Sequence, residues 1–180
     1  DIRLESSKLI VIIEKILRLK IVYLLLGSNK GDRIKFMLLA TYFISVKAGE
    51  ITGKSPIYET APWGKSNQPN YLNQAIELKT DKSPLQLLKI LQKIEKNLGR
   101  TNKGNLSART IDIDILLYDN AVFNSKKLII PHPRLHLRNF TLQPLLELNK
   151  TYTHPVLHTS IEELAKACKD ELKVGIFKPK

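Results

Sequence analysis

One eight-residue run, Arg109-Thr110-Ile111-Asp112-Ile113-Asp114-Ile115-Leu116, constrains the fold of this chain more than any other segment. Apolar and polar residues alternate there, which is the period of a strand with one face buried. Successive side chains on a strand point to opposite faces, so Asp112 and Asp114 project from one face as nearest neighbours. Two like charges that close repel unless a cation lies between them or one is protonated. Hard oxygen ligands suit Mg²⁺, which takes one or two carboxylates and fills its octahedron with water and substrate phosphates. Arg109 heads the same expected strand, in place to meet a phosphate. Taken alone, the pair reads equally well as a solvated strand face carrying two acids.

The 180 residues suffice for one domain with a real core, with or without extensions. No window of about 18 uninterrupted apolar residues occurs, so no transmembrane helix is expected. The single cysteine, Cys168, excludes an internal disulfide framework and fits a reducing compartment. It sits in a helix-like stretch with no metal-ligand residue type beside it, and reads as an inert thiol. The net charge of +12 favours an anionic partner without choosing among nucleotide, nucleic acid and membrane surface. Lysines are spread along the whole chain, which fits an ordinary solvated surface.

Residue 1 is Asp and the only methionine is Met37, so the expectation is a start inside a longer reading frame, or processing. Residues 1–20 are amphipathic and helix-prone, contain acids and lack a small-residue cleavage site, which argues against a secretory signal. They read as a helical extension, with residues 21–180 as the domain proper.

Along that domain, Ile21–Leu26 reads as a buried strand entering a turn at Gly27-Ser28-Asn29. A helix is expected over Gly31–Ala48, a strand over Ile51–Thr60, a loop over Ala61–Asn70 and an extended segment over Tyr71–Thr80. Ser83-Pro84-Leu85-Gln86 opens a helix that runs to about Leu98 and stops at Gly99. A polar loop, Arg100–Ala108, leads into the Arg109–Tyr118 strand. Leu128–Ile130 is a short strand ended by Pro131-His132-Pro133, Leu137–Leu148 a helix, and Ser160-Ile161-Glu162-Glu163 a capping box for a last helix. The central order is β-α-β-β-α-β, the plan of an α+β ferredoxin-like core: an antiparallel sheet with helices packed on it, here with C-terminal additions. That order serves many functions, so function must come from sites.

Gly27-Ser28-Asn29-Lys30-Gly31-Asp32 lies between strand and helix but lacks the spacing of a P-loop, and reads as a tight turn setting the helix entry. Tyr71 and Asn73 share a strand face, where a phenol beside a carboxamide could receive a flat, hydrogen-bonding heterocycle. In isolation, one surface Tyr and one surface Asn is the favoured reading of the pair. Gln92 and Glu95 share a helix face, for which a solvated side is the plain reading. Arg100 follows the helix end and, with Arg109, could supply two guanidinium groups to a polyphosphate. His132 is held between two prolines, which alone marks a turn, and Arg138-Asn139-Phe140 adds a cation and an aromatic just beyond.

The segments YLLLGSNKGD, SPIYETAPWG, QPNYLNQAIEL, IEKNLGR, ARTIDIDILLYDN, IPHPRL and RNFTLQPLLEL occur in one order. Together they resemble the 6-hydroxymethyl-7,8-dihydropterin pyrophosphokinases of folate biosynthesis, from about Ile21 to about Asn149. The resemblance implies a ferredoxin-like core and transfer of the β,γ-diphosphate of ATP to the pterin hydroxymethyl group, releasing AMP. It implies two Mg²⁺ ions on Asp112 and Asp114, ATP contacts from Gln92, Glu95, Ile115, His132 and Arg138, and phosphate binding by Arg100 and Arg109. It further implies that Arg100, Arg109, Asp112 and Asp114 carry catalysis. Tyr71 and Phe140 would flank the pterin ring, Phe140 by stacking, with Asn73 on its edge and the backbone near Thr60 and Ala61 helping. The loops Ala61–Asn70 and Gly99–Ala108 would act as lids. A cytoplasmic monomer is implied, with no nucleic acid or membrane partner and with dihydroneopterin aldolase and dihydropteroate synthase as functional neighbours.

Three features depart from the family pattern. Leu106-Ser107-Ala108 stands where a Trp-Gly-Pro run is common, in a loop about one residue shorter than in some members. Pro133 follows His132, and residues 1–20 have no counterpart in a single-domain member. A single-stranded RNA-binding module shares the element order, but stacks bases on central-strand aromatics where this chain has Asp112 and Asp114. An inactive relative kept for protein contacts is disfavoured by the presence of Arg100, Arg109, Asp112, Asp114 and His132.

Overall fold

A computed structural model describes residues 19–62, 68–100 and 108–179. The helix expected over residues 1–20 lies almost wholly outside these, as do Leu106, Ser107 and the centres of both expected lid loops.

The first strand, β1 (Lys20–Ser28), explains why its sequence is apolar without alternation. Val22, Leu24 and Leu26 enter one core while Tyr23 and Leu25 enter a second, so both faces are covered. Helix α1 (Arg33–Lys47) follows, capped by Asp32, whose side chain accepts from the backbone N–H of Lys35 at 3.0 Å. The strand expected over 51–60 is divided into β2 (Glu50–Lys54) and β3 (Tyr58–Thr60). Ser55-Pro56 interrupts it: proline has no N–H to donate, and before it Ser55 stays bound to Ala75, its N–H donating to the Ala75 carbonyl and its hydroxyl accepting from the Ala75 N–H, both at 3.0 Å. Strand β4 (Tyr71–Thr80) has the expected limits. Helix α2 (Pro84–Asn97) ends at Gly99, which adopts φ +85°.

Strand β5 (Asp112–Tyr118) begins three residues later than the alternation suggests. Arg109 therefore precedes the strand instead of heading it. It is tied to the end of β1, where the Asn29 N–H donates to the Arg109 carbonyl at 3.1 Å. A two-stranded ribbon of β6 (Phe123–Asn124) and β7 (Ile129–Ile130), a 3₁₀ turn (Leu135–Leu137), helix α3 (Asn139–Asn149), helix α4 (Ile161–Ala167) and β8 (Val174–Ile176) complete the chain.

The main sheet is antiparallel throughout, in the order β5-β1-β4-β3-β8, with β2 also paired to β4. Helices α1 and α2 cover one face with Met37, Ala40, Ile44, Leu87, Leu91 and Ile94, and α3 and α4 cover part of the other with Leu142, Leu145 and Ile161. Among the described residues no helix is long and apolar enough to cross a membrane.

Candidate active site

The strand register brings Asp112 of β5, Gly27 of β1 and Asn73 of β4 into one row across the sheet. Asp114 stands one row along, opposite Leu25. These residues face away from α1 and α2, on the side where α3 begins. Gly27 has no side chain, so the row has a gap at its centre. A Cβ there would lie 3.4 Å from Asn73 Oδ1 and 3.9 Å from Asp112 Cβ. Above that gap is a cavity of about 150 Å³, lined by Leu25, Gly27, Thr60, Ala61, Pro62, Gln68, Tyr71, Asn73, Arg109, Asp112, Asp114, Arg138 and Phe140.

One end of the cavity is suited to a flat polar ring. Asn73 is buried, and its Nδ2 donates to Thr60 Oγ1 at 2.9 Å, which fixes the carboxamide. Tyr71 and Phe140 supply aromatic walls, and the Arg138 guanidinium lies 5.4 Å from the centre of the Phe140 ring. Asn73 is thus no surface residue, while Tyr71 is half-buried at the cavity rim.

The other end is charged. Arg109 pairs with Asp112 at 2.5 Å, and Arg100 bridges Asp112 and Glu95. Glu95 is fully buried, and its Oε1 also accepts from the Ile113 N–H at 2.9 Å, which ties α2 to β5. Burial works against ionisation of Asp112, but the Arg100 and Arg109 guanidiniums outweigh it and hold its carboxyl below the usual range. Asp114 goes the other way: burial, then the charges of Asp112 and Glu95, push it up to about 7. Two carboxylates of such unequal proton affinity, side by side on a cavity wall, are a donor set that a divalent cation would stabilise. Among the described residues no three His, Cys, Asp or Glu side chains converge on one point, so phosphate and water oxygens would have to complete the coordination.

The sequence profile of 7,8-dihydro-6-hydroxymethylpterin-pyrophosphokinase matches residues 23–150. The chain is 42% identical over 142 residues to the 2-amino-4-hydroxy-6-hydroxymethyldihydropteridine pyrophosphokinase of Aquifex aeolicus, covering 79% of this chain and 88% of that one. This chain belongs to the 7,8-dihydro-6-hydroxymethylpterin-pyrophosphokinase family.

The family member of the same name in Bacillus subtilis is 43% identical over 129 residues, 71% of this chain and 77% of its own. Folic acid synthesis protein fol1 of Pneumocystis carinii is 44% identical over 140 residues, but these are 78% of this chain and only 19% of fol1. Among solved structures, Plasmodium falciparum HPPK-DHPS with pteroate superposes with a TM-score of 0.66 at 19% identity, over 83% of this chain and 42% of that one. The chain thus spans less than half of that structure, and the likeness concerns the fold.

Within this pyrophosphokinase fold, the residues implicated by sequence separate into four groups. Thr60, Ala61, Tyr71, Asn73, Arg109, Asp112, Asp114, Arg138 and Phe140 meet at the one cavity. Arg100 and Glu95 lie behind it, the Arg100 side chain only 7% exposed and Glu95 1%. His132 stands nearby: its N–H donates to the Leu116 carbonyl at 2.8 Å, and its Nδ1 accepts from the Arg134 N–H at 3.2 Å. Burial, then Arg138 and Arg134, lower its pKa to about 4.

Gln92 and Ile115 are apart. Gln92 is solvent-exposed although Glu95 on the same helix is buried. Residues three apart differ by about 60° around the helix, enough to straddle the edge of its buried face. The Ile115 side chain enters the core beneath α1 and α2, so only its backbone is available to the cavity side.

Sequence reasoning missed Leu25, Gly27, Pro62, Gln68 and Asn29. Asn29 was read as part of a simple turn, yet its Oδ1 accepts from the Arg109 N–H at 2.8 Å and its Nδ2 donates to Gln68 Oε1 at 3.2 Å. The glycine that interrupts the apolar run of β1 was the available signal for a close approach to a ligand.

Proposed function

We infer that this chain transfers the terminal diphosphate of ATP to 6-hydroxymethyl-7,8-dihydropterin, giving AMP and the pterin diphosphate in folate biosynthesis. The observation that carries this reading is membership of the pyrophosphokinase family, with relatives such as the Aquifex aeolicus enzyme matched over 88% of their length. The finer reading of the fold is a ferredoxin-like β-α-β-β-α-β core, supported by the antiparallel order β5-β1-β4 with β2 and β3 alongside.

The pterin ring would lie between Tyr71 and Phe140, its edge on Asn73, with the backbone at Thr60 and Ala61 beside it. Its hydroxymethyl group would point toward Asp112 and Asp114. The hydroxymethyl oxygen attacks the β-phosphorus, a new P–O bond forms, and the bond from the β-phosphorus to the oxygen it shares with the α-phosphorus breaks, so AMP departs with that oxygen. The hydroxyl proton passes to solvent or a neighbouring base. Such a transfer needs in-line placement and charge stabilisation more than covalent help from the protein.

Asp112 and Asp114 would hold Mg²⁺, two ions by analogy with the family. Bound there, the metal supplies charge neutralisation for the polyphosphate and lowers the pKa of the hydroxyl. Arg100 and Arg109 now neutralise Asp112. With a metal held by these carboxylates, the same guanidiniums would donate to phosphate oxygens, which supports their role as planar bidentate donors. His132, Arg138, Glu95, Gln92 and the Ile115 backbone are the remaining candidates for ATP contact, Glu95 acting through Arg100. We place the protein in the cytoplasm as a monomer working beside dihydroneopterin aldolase and dihydropteroate synthase.

The test is direct. Purified protein given ATP, Mg²⁺ and 6-hydroxymethyl-7,8-dihydropterin should form AMP in step with pterin diphosphate, and chelation of the metal should stop it. Folded protein that makes no AMP under these conditions overturns the assignment.

A further inference from the structure

The residues beyond the stretch matched to the family, 151–179, include a segment that touches both walls of the cavity. At its start, Asp170 Oδ2 accepts from the backbone N–H of Asn139 at 2.9 Å, and the Asn139 side-chain amide donates to the Asp170 carbonyl. Asn139 opens α3 between Arg138 and Phe140, two of the cavity residues. The first N–H groups of a helix have no partner within it, so Asp170 satisfies a donor that would otherwise rely on solvent. The Asp170 side chain is itself held, its Oδ1 accepting from the Leu172 N–H at 3.2 Å.

Four residues further on, the segment becomes β8 and pairs with β3. Val174 stands opposite Thr60 and Ile176 opposite Tyr58, and the Phe177 N–H donates to the Ile57 carbonyl at 2.8 Å. The pairing ends at Thr60, which receives the Asn73 amide and immediately precedes Ala61 and Pro62 of the cavity wall. Arg33 fastens the far end. Its guanidinium pairs with Glu59 at 2.8 Å, donates to the Asn70 carbonyl at 2.8 Å, and lies 5.8 Å from the Phe177 ring centre. A three-residue strand such as β3 is marginal with a single neighbour, and β8 supplies its second.

We propose that Asp170–Phe177 is a strap that positions the two walls of the pterin cavity, the end of β3 and the start of α3, relative to each other. The proposal rests on the reading of this cavity as the pterin site. None of its residues lines the cavity. Asp170 acts through Asn139 on Arg138 and Phe140, and β8 acts through β3 on Thr60 and Ala61. Phe140 on one wall and Thr60 and Ala61 on the other are assigned to the pterin, with Arg138 the one ATP candidate among them, so loss of the strap should weaken pterin binding far more than it slows the bound complex.

The experiment compares the 180-residue chain with Asp170→Ala, with Asp170→Asn, and with a chain ending at Lys169. Kinetics are measured against each substrate, and direct binding of 6-hydroxymethyl-7,8-dihydropterin is followed by its fluorescence. Because small misplacements of a positioned ligand have large effects, Asp170→Ala and the shortened chain should raise the pterin KM and Kd about tenfold while kcat changes far less. Asp170→Asn keeps an oxygen acceptor for the Asn139 N–H but loses the acceptor for the Leu172 N–H, and should restore part of the loss. A strap that only stabilised the fold would lower the content of active enzyme, reducing maximal rate at unchanged KM. Unchanged pterin KM and Kd in Asp170→Ala overturn the strap, whether or not the shortened chain folds. Failure of the unaltered protein to bind the pterin would instead overturn the cavity assignment.

Discussion

Gly27 and Asp114 govern the site through opposite properties, an absent side chain and a charge. Any Cβ at position 27 stands on the cavity floor between Asn73 and Asp112. The branched Gly27→Val should raise the pterin KM by roughly tenfold or more while the protein still folds, because the strand conformation itself suits valine. Steady-state kinetics and circular dichroism check the two halves of that statement. For Asp114, burial and the neighbouring charges already disfavour the ionised form in metal-free protein. Replacement by Asn removes that conflict along with a carboxylate proposed to hold Mg²⁺. Asp114→Asn should therefore abolish AMP formation yet leave the metal-free protein at least as heat-stable as the parent, an exchange of function against stability common at such sites. A large fall in melting temperature would contradict it.

At the scale of elements, β5 shows how strand regularity serves the site. Ile113 and Ile115 pair opposite Leu26 and Leu24 in the core beneath α1 and α2, which leaves Asp112 and Asp114 on the cavity side. A bulge between the Tyr23 and Leu24 pairings then places Leu116 and Leu117 together in the second core. The Ile115-Leu116-Leu117 run that breaks the alternation in sequence is thus the bulge in the structure. Helix α2 shows the same division of labour. Leu87, Leu91 and Ile94 hold it on the sheet, so that Glu95 reaches Arg100 and the Ile113 N–H. Leu91 is fully buried, and Leu91→Ala should cost about 3 kcal/mol. Gln92→Ala, on the exposed side, should stay within about 0.5 kcal/mol. Chemical denaturation of the two variants measures both.

At the scale of the whole molecule, stability is linked to pH through His132. Its folded pKa of about 4 lies below the ordinary 6.5 because it is buried near Arg138 and Arg134. The unfolded chain therefore takes up a proton at a pH where the folded chain does not. The contribution is complete above about 6.5 and is lost as pH falls through about 4. His132→Gln, which does not titrate, should flatten the fall of melting temperature across that window, and parallel curves for parent and variant would refute the assignment.

The chain's own pattern determined the central alternation of strands and helices, without the division of β2 from β3 and without β6 or β8, together with the limits of β4, the helix stops and the shared face of Asp112 and Asp114. Those depend on local periodicity, capping and turn chemistry, which neighbouring residues carry. Only the tertiary structure decided that Gly27 is a cavity floor, that Asn29 anchors Arg109, that Arg100 and Glu95 lie buried behind Asp112, and that the segment around β8 meets both β3 and the start of α3. Each of these joins residues far apart in sequence through strand register or side-chain reach. A three-residue run such as Val174–Ile176 has no periodicity of its own to announce the strand it forms. Its partner, the unpaired edge of β3, exists only once the sheet has been assembled.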